Sequence, residues 1–568
     1  MKYSEMKYER PDIKIVGEEF SDLIDAFRNA KTFEEAEDHM TRINVLRNEF
    51  ETMRIIAFIN YSIDTNNQSF TEEQDYFDNS SPVFSGYINK YYKALIECSF
   101  KKEFINKHGE QLFKIAELTM KCFSPEIVGD LQKENHLNSE YTKLKASAKI
   151  IFEGKERNLQ ELEPFMESPD AEIRKKAFDA YWEFFSANKE KLDGIYDKLV
   201  SLRNKMAIKL GYKDYIELGY ARMKRVDYDY KMVEQFRSNV RKYVVPLALK
   251  LREKQRKRIG VEKLMVHDVV LQFKSGNATP KGDPEWIMNN GQTMYDELSH
   301  ETAEFYDFMM KNDLMDVYSR KGKADMGYCE FITKHKSPFI FANMNGTEDD
   351  ITVLTHEAGH AFQAFASRNF PFKEYMEPTM ETAEIHSMSM EFLTYPWMKL
   401  FFKEDTDKFK FSHLNGTVNF LPYGVLVDEF QHWVYENPSA DPAKRNSKWR
   451  ELEKIYMPHL DYGDNEFLES GGRWQKQSHI YEMPFYYIDY CLAQVCAFQF
   501  WSKAIQNDNG GYKVALKDYI KLCEAGGSKP FLELVKYANL ESPFEDGVIK
   551  KLVKEIETYI DSVDDKKF

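Results

Sequence analysis

His356-Glu357-Ala358-Gly359-His360 sets two histidines four residues apart, with a glutamate directly after the first. On a helix, residues four apart lie on nearly the same face, so two imidazoles in this spacing aim at one metal ion. Glu357, one residue further round, reaches the ion's open side. Two nitrogen ligands and a carboxylate base on one rigid element are the parts that metal-assisted hydrolysis needs. The flanking residues suit a helix over about 352–368. Glu348, Asp349 and Asp350 crowd its start, where negative charge is favoured. Leu354, Ala358, Ala361, Phe362 and Phe365 give it an apolar side, and Pro371 closes the segment.

Zinc at a catalytic site takes a third protein ligand and keeps one position for water. The segment over about 379–395 offers Glu381, Glu384, His386 and Glu391, and it ends at Pro396. Glu384 is the preferred ligand, and Glu381 is its rival. Glu391 follows Glu384 by seven residues, two helical turns, on nearly the same face. That suits a carboxylate which orients a metal-bound imidazole from outside.

These stretches resemble a known family. His356-Glu-Ala-Gly-His360 followed by Glu381-Thr-Ala-Glu384-Ile-His-Ser-Met-Ser-Met-Glu391 is similar to the thimet-oligopeptidase-like metallopeptidases, above all their oligoendopeptidase F and Pz-peptidase branch. Pro338-Phe-Ile-Phe-Ala-Asn-Met-Asn-Gly-Thr347 and the later stretch from Gly471 to Tyr490 strengthen the likeness. It covers essentially the whole chain and is most specific from Gly327 to Ala493. The resemblance implies that Glu384 is the third ligand of one zinc ion per chain. It also implies a mainly α, two-lobed metallopeptidase with a deep substrate channel and a small β-sheet beside the metal helix. The expected activity is cleavage of internal bonds in short unfolded oligopeptides, with Glu357 as general base and then acid.

The second chemical cluster lies within 470–490. Peptide hydrolysis needs a donor for the oxyanion, and a phenol or an imidazole can serve. The family is similar in having His and Tyr side chains here that contact substrate. His479 and Tyr490 rank first, then Tyr486. The thimet branch has Gly-Gly immediately before its first functional Tyr, whereas Pro484-Phe485 stands here. His479 is expected in a connection and Pro484 in the first turn of the next helix. On that helix Tyr486 and Tyr490 would share a face, with Tyr487 alongside.

The elements that must position these groups are mostly helices. Long helical patterns run from Phe20 to Leu144, with breaks expected at Thr65-Asn-Asn and at Asn79-Ser-Ser-Pro82. A short apolar run around a Gly-containing turn, within 148–160, reads as a hairpin. Ser168-Pro169-Asp170 opens a helix, and helices then dominate to Lys257. We expect an N-terminal helical region over 1–199 and a catalytic region over 200–568. Lys274 to Pro284 is a loop. Gly327–Thr333 and Pro338–Met344 pair in a small sheet, and Asn345-Gly346 turns the chain into the metal helix. An edge strand there can take an extended peptide by strand addition. Leu421–Tyr435 is a further helix, on which Asp428 and His432 pair in the core.

Composition sets the outer bounds. The 568 residues are 30% charged and 43% hydrophobic, with a net charge of −15, which suits a soluble globular enzyme and argues against nucleic acid as a partner. The basic run Lys250 to Arg258 reads as a solvated helix face. No apolar stretch is long enough for a signal peptide or a membrane span, so no membrane association is expected. Six scattered cysteines form no C-x-x-C pair and read as reduced thiols in a cytoplasmic protein. Oligopeptide substrates are the expected partners, with no obligatory protein partner.

Overall fold

The fold is mainly α, 71% helical with two small sheets, in a computed structural model that describes residues 1–506 and 510–568. The N-terminal region begins with helices Ile13–Asn29, Phe33–Ile63 and α1 (Gln68–Ile96), which share a core of Phe20, Phe27, Ile43, Phe50, Phe84 and Tyr91. The break at Thr65-Asn-Asn is present, and Asn67 caps α1 by accepting from Ser69 N at 3.0 Å. The break expected at Asn79–Pro82 is absent, since α1 runs through Pro82. A proline inside a helix orphans the carbonyl four residues back. Here Asn135 Nδ2 donates to that carbonyl, Asp78 O, at 3.0 Å, and Gln132 Nε2 donates to Asn79 O at 2.8 Å. A neighbouring helix thus supplies donors to the carbonyls around the interruption at Pro82.

β1 (Ile150–Phe152) and β2 (Lys155–Arg157) form the expected hairpin, turning at Glu153-Gly154 with φ of 49° and 75°. The next long helix, α2 (Ala171–Lys209), is capped by Asp170 rather than Ser168; Asp170 Oδ1 accepts from Glu172 N at 2.9 Å and Ile173 N at 3.2 Å. Residues 199 and 200 both lie within α2. The basic run sits on helix Val245–Ile259, with Lys250 and Lys254 paired to Asp561 and Arg258 to Asp565. Acids of the C-terminal segment thus neutralise much of it.

The sheet beside the site has three strands, β3 (Met315–Tyr318), β4 (Tyr328–Ile332) and β5 (Ser337–Met344), in the order β3-β5-β4. β4 pairs antiparallel with β5, as the sequence suggests, and it is an edge. β3 is parallel to β5 and was not anticipated; its four residues, Met-Asp-Val-Tyr, are too few to carry a period. β5 is buried from Ser337 to Ala342.

Five helices carry the site: α3 (Asp349–Ser367), α4 (Met380–Leu393), α5 (Thr406–Glu436), α6 (Ser478–Glu482) and α7 (Tyr487–Ile505). α4 is buried along nearly its whole length and packs on both α3 and α7. Among the described residues, no helix is long and apolar enough to cross a membrane.

Candidate functional site

The turn from β5 into α3 fixes the metal helix. Gly346 has φ of 91°, a left-handed conformation that glycine adopts without strain. Asp350 ties the turn down, because its carboxylate accepts from Asn345 N and Gly346 N, both at 2.8 Å. Burial pushes the Asp350 carboxyl up to about 6, although these bonds hold it down.

Nearly three turns into α3, Gly359 lets α4 come unusually close. A Cβ there would lie 2.6 Å from both His386 O and Ser387 Cα. That approach delivers Glu384 to the histidines. Glu384 Oε2 lies 3.2 Å from His356 Nε2 and 3.3 Å from His360 Nε2. The three ligand atoms all fall within 4.8 Å of one another, and the imidazole planes stand 81° apart. Two imidazole nitrogens and one carboxylate oxygen, converging with one side open, form a donor set that suits a divalent ion of the zinc type.

Neighbouring groups hold each donor. Ser387 Oγ donates to Glu384 Oε2 at 2.8 Å, and Tyr486 OH donates to Glu384 Oε1. Burial opposes ionisation of Glu384, but His360 and His356 outweigh it and hold the carboxyl well below its ordinary range. His356 Nδ1 lies 2.7 Å from Glu391 Oε1, and Glu391 Oε2 lies 2.8 Å from His413 Nε2. His413 Nδ1 in turn meets Tyr395 OH at 2.7 Å. A buried polar chain thus runs from His356 through Glu391 and His413 to Tyr395. Burial disfavours the charged form of His356, yet its bonds to Glu384 and Glu391 raise it well above the ordinary imidazole value.

Glu357 is 6% exposed, and its Oε2 has no hydrogen-bond partner. Its carboxyl is raised by burial, against the pull of His356 and His360. Its Oε1 would lie 3.5 Å from a Cβ built on Gly327, just before β4. The base candidate and the open sheet edge therefore face each other.

On the far side, His479 and three tyrosines cluster. His479 lies on the short helix α6 rather than in a connection, and Pro484 sits in the break between α6 and α7, not in a first turn. Tyr486 is the cap residue before α7 and has helical angles, φ −71° and ψ −36°, so it shares a face with Tyr490 as expected, with the rings 5.0 Å apart. Phe485, just before it, has φ of 67°. Such a backbone costs about 1–3 kcal/mol for a residue with a side chain. Arg225 Nη2, donating to Phe485 O at 2.5 Å, and Gln431 Oε1, accepting from Phe485 N at 3.0 Å, hold it there. The resulting kink points Tyr486 at Glu384. His479 Nε2 lies 3.1 Å from Tyr490 OH. Tyr423 OH donates to Gln477 Oε1 at 2.8 Å, which turns the Gln477 amide nitrogen toward His479 Nδ1, 2.9 Å away. This leaves the proton of a neutral imidazole on Nε2. Burial lowers His479 to about 4 and raises the Tyr490 phenol, so both stand as neutral donors near pH 7.

Glu381 does not join the histidines. It is 1% exposed and faces Asp489 and Arg225. Asp428 and His432 pair in the core, with Asp428 Oδ2 3.5 Å from His432 Nε2 and 2.5 Å from Arg237 Nη1. His413, Tyr395, Gln477 and Tyr423 escaped the sequence reading.

Known proteins share the sequence and fold of this chain. Residues 3–123 match the Peptidase M3 N-terminal domain, and residues 164–554 match Peptidase family M3. A solved structure described as Pz peptidase A with inhibitor 2 is 55% identical, covers 100% of both chains and superposes with a TM-score of 0.98. A putative oligoendopeptidase F from Bacillus anthracis is 51% identical, covers 100% of this chain and 99% of that one, and gives 0.94. Among curated proteins, Oligopeptidase PepF of Bacillus subtilis is 22% identical over 387 residues, 66% of this chain and 55% of that protein. The chain thus spans between half and two thirds of the length of that relative. With the N-terminal model matched over residues 3–123 and the main model over 164–554, the chain belongs to peptidase family M3.

Proposed function

We propose that this protein is a zinc-dependent endopeptidase that hydrolyses internal bonds of short unfolded oligopeptides. One observation carries the reading. The buried Glu357 carboxylate, with an oxygen lacking any partner, stands beside the three-donor group of His356, His360 and Glu384. Zinc held by those three residues would supply a water of lowered pKa and a polarised carbonyl. Glu357 takes a proton from the attacking water and passes it to the leaving amine. Its burial supports this role, because a raised carboxyl is a better base and a ready acid. The Tyr490 hydroxyl and the His479 Nε2 proton are the donors for the developing oxyanion. Tyr486 orients the Glu384 carboxylate from behind.

Substrate backbone adds to the open edge of β4, which brings a peptide bond against Glu357. Extended chains can make that contact, and folded proteins cannot, so unfolded peptides are the substrate class. The curated and structural relatives named as oligopeptidases support the same class. Six unpaired cysteines support a reducing, cytoplasmic setting.

The test is a peptide of about eight residues, blocked at both ends, incubated with and without a zinc chelator and read by mass spectrometry. Internal cleavage that the chelator abolishes is the expected result. Trimming of unblocked peptides alone would instead make the protein a chain-end peptidase.

A further inference from the structure

Asp75 and Asp78 of α1 and His136 of helix Val128–Ala146 form a second group of metal-ligating side chains, in the N-terminal region. One donor atom from each lies within 4.8 Å of the other two. The aspartates are three residues apart and so share a helical face. His136 Nδ1 stands 3.6 Å from Asp78 Oδ2 and 4.0 Å from Asp75 Oδ1. The other ring nitrogen decides what Nδ1 carries. Asn79 Nδ2 donates to Asp75 O at 2.7 Å, which leaves Asn79 Oδ1 to accept from His136 Nε2 at 3.2 Å. The proton of a neutral imidazole is therefore on Nε2, and the Nδ1 lone pair faces two carboxylates. Acceptor meets acceptor there, and a positive species between them reconciles the three. The gaps of 3.6 and 4.0 Å exceed an N–H···O bond, about 2.7–3.2 Å, so a proton on Nδ1 does not close them. They are nearer the spacing around a zinc ion, whose ligands at about 2.0–2.2 Å stand about 3.4 Å from one another.

The buried member of the group lacks a cation. Asp78 is 5% exposed. Its carboxylate accepts from two neutral donors, Ser139 Oγ at 2.7 Å and Gln74 Nε2 at 2.9 Å, and among the described residues no Lys or Arg nitrogen lies within 4.0 Å of it. Buried carboxylates on the neighbouring helix are served differently. Asp130 pairs with Lys205 and Lys209, and Glu134 pairs with Arg203 and Arg222. A buried carboxylate is costly to keep charged unless a cation or a metal ion meets it. The supports around the group are those a metal site uses: Ser139 and Gln74 steer the Asp78 carboxylate, and Asn79 holds the imidazole by its far nitrogen.

We propose that Asp75, Asp78 and His136 bind one divalent ion of the zinc type, which pins α1 to helix Val128–Ala146 beside the interruption at Pro82. The side chains of Asp75 and His136 are 57% and 41% exposed, so this ion exchanges with solvent more freely than one held by His356, His360 and Glu384. The untagged protein is dialysed against low-micromolar zinc and read by elemental analysis, beside Asp75→Asn and His136→Gln. Both replaced side chains reach the surface, so neither variant opens the core. The parent should hold one zinc ion per chain more than either variant, and should lose that ion on dialysis into metal-free buffer. With free zinc at about a hundred times the dissociation constant, the parent should melt about 2 °C higher than without the excess, and the variants should not shift. The count is a difference between parent and variant, so it holds whatever the catalytic group binds. Equal zinc in the parent and both variants overturns the proposal. At one ion per chain, His136 would be an imidazolium paired with Asp78; at two, the second ion would lie elsewhere. No melting shift in the parent, or the same shift in the variants, overturns the pinning role.

Discussion

His356 Nδ1 and Glu391 Oε1 lie 2.7 Å apart, and this contact orients the first histidine of the metal group. The carboxylate fixes which ring nitrogen would face a metal held by the three residues, and would make that nitrogen a stronger donor. Replacing Glu391 with Ala frees the ring and leaves His413 without its acceptor. The expected outcome is a fall in zinc affinity of about 10–100-fold. Competition against a chromophoric chelator measures it, and unchanged affinity would show that the contact does not orient the ligand.

Glu357→Gln keeps the size of the side chain and removes its basicity. The three metal donors are untouched, so bound zinc should stay at one per chain by elemental analysis. Turnover should fall by at least about 10²–10⁴-fold, the usual span for losing a general base. Activity near that of the parent would remove Glu357 from the reaction.

How much of this was legible beforehand follows the physics of each contact. His356, His360 and Glu357 were legible because a single helix fixes their angles. Glu391 was legible because it shares a face with Glu384, two turns away. His413 and Tyr395 were not, since His413 reaches Glu391 from another helix and Tyr395 joins only through His413, and no spacing encodes a contact between helices. The same holds for Pro82, whose helix survives through donors on Asn135 and Gln132. The kink at Phe485 was also hidden: positive φ at a phenylalanine is sustained by Arg225 and Gln431, both remote in sequence. Local pattern thus gave the chemistry, and tertiary partners decided how His479 and the tyrosines meet it.

Gly359 is the small residue on which the meeting of α3 and α4 depends. Alanine there places a methyl carbon 2.6 Å from backbone atoms of His386 and Ser387, which cannot rotate away. Gly359→Ala should force the helices apart, costing about 1–3 kcal/mol or more by overpacking. Glu384 then retreats from the histidines, so zinc affinity should fall together with the melting temperature. A variant with the parent's affinity and stability would mean that α4 accommodates the methyl group.

Two buried carboxylates away from the metal group make acid stability predictable. Glu374 pairs with Arg47 Nη2 at 2.7 Å and accepts from Tyr92 OH, joining the catalytic region to the N-terminal core. Glu134 pairs with Arg203 Nε at 2.6 Å and Arg222 Nη2 at 2.9 Å. Burial alone would raise both carboxyls, but the guanidinium groups overcome it and hold each at about 2. A folded value below the unfolded one means that the stabilisation is fully present above the unfolded pKa, near 4.5, and is lost as pH falls through about 2. Each group therefore contributes on the order of 3 kcal/mol that disappears across that window. Urea unfolding followed from pH 6 to 3 should show stability level at first and then falling steeply below about 4.5. Glu374→Gln should cost about 3–5 kcal/mol at pH 7, because Arg47 is left buried without its anion. It should also make the acid slope shallower, since one of the carboxylates that titrate in this window is gone. A slope identical to the parent's would mean that the Arg47 pair does not govern the acid response.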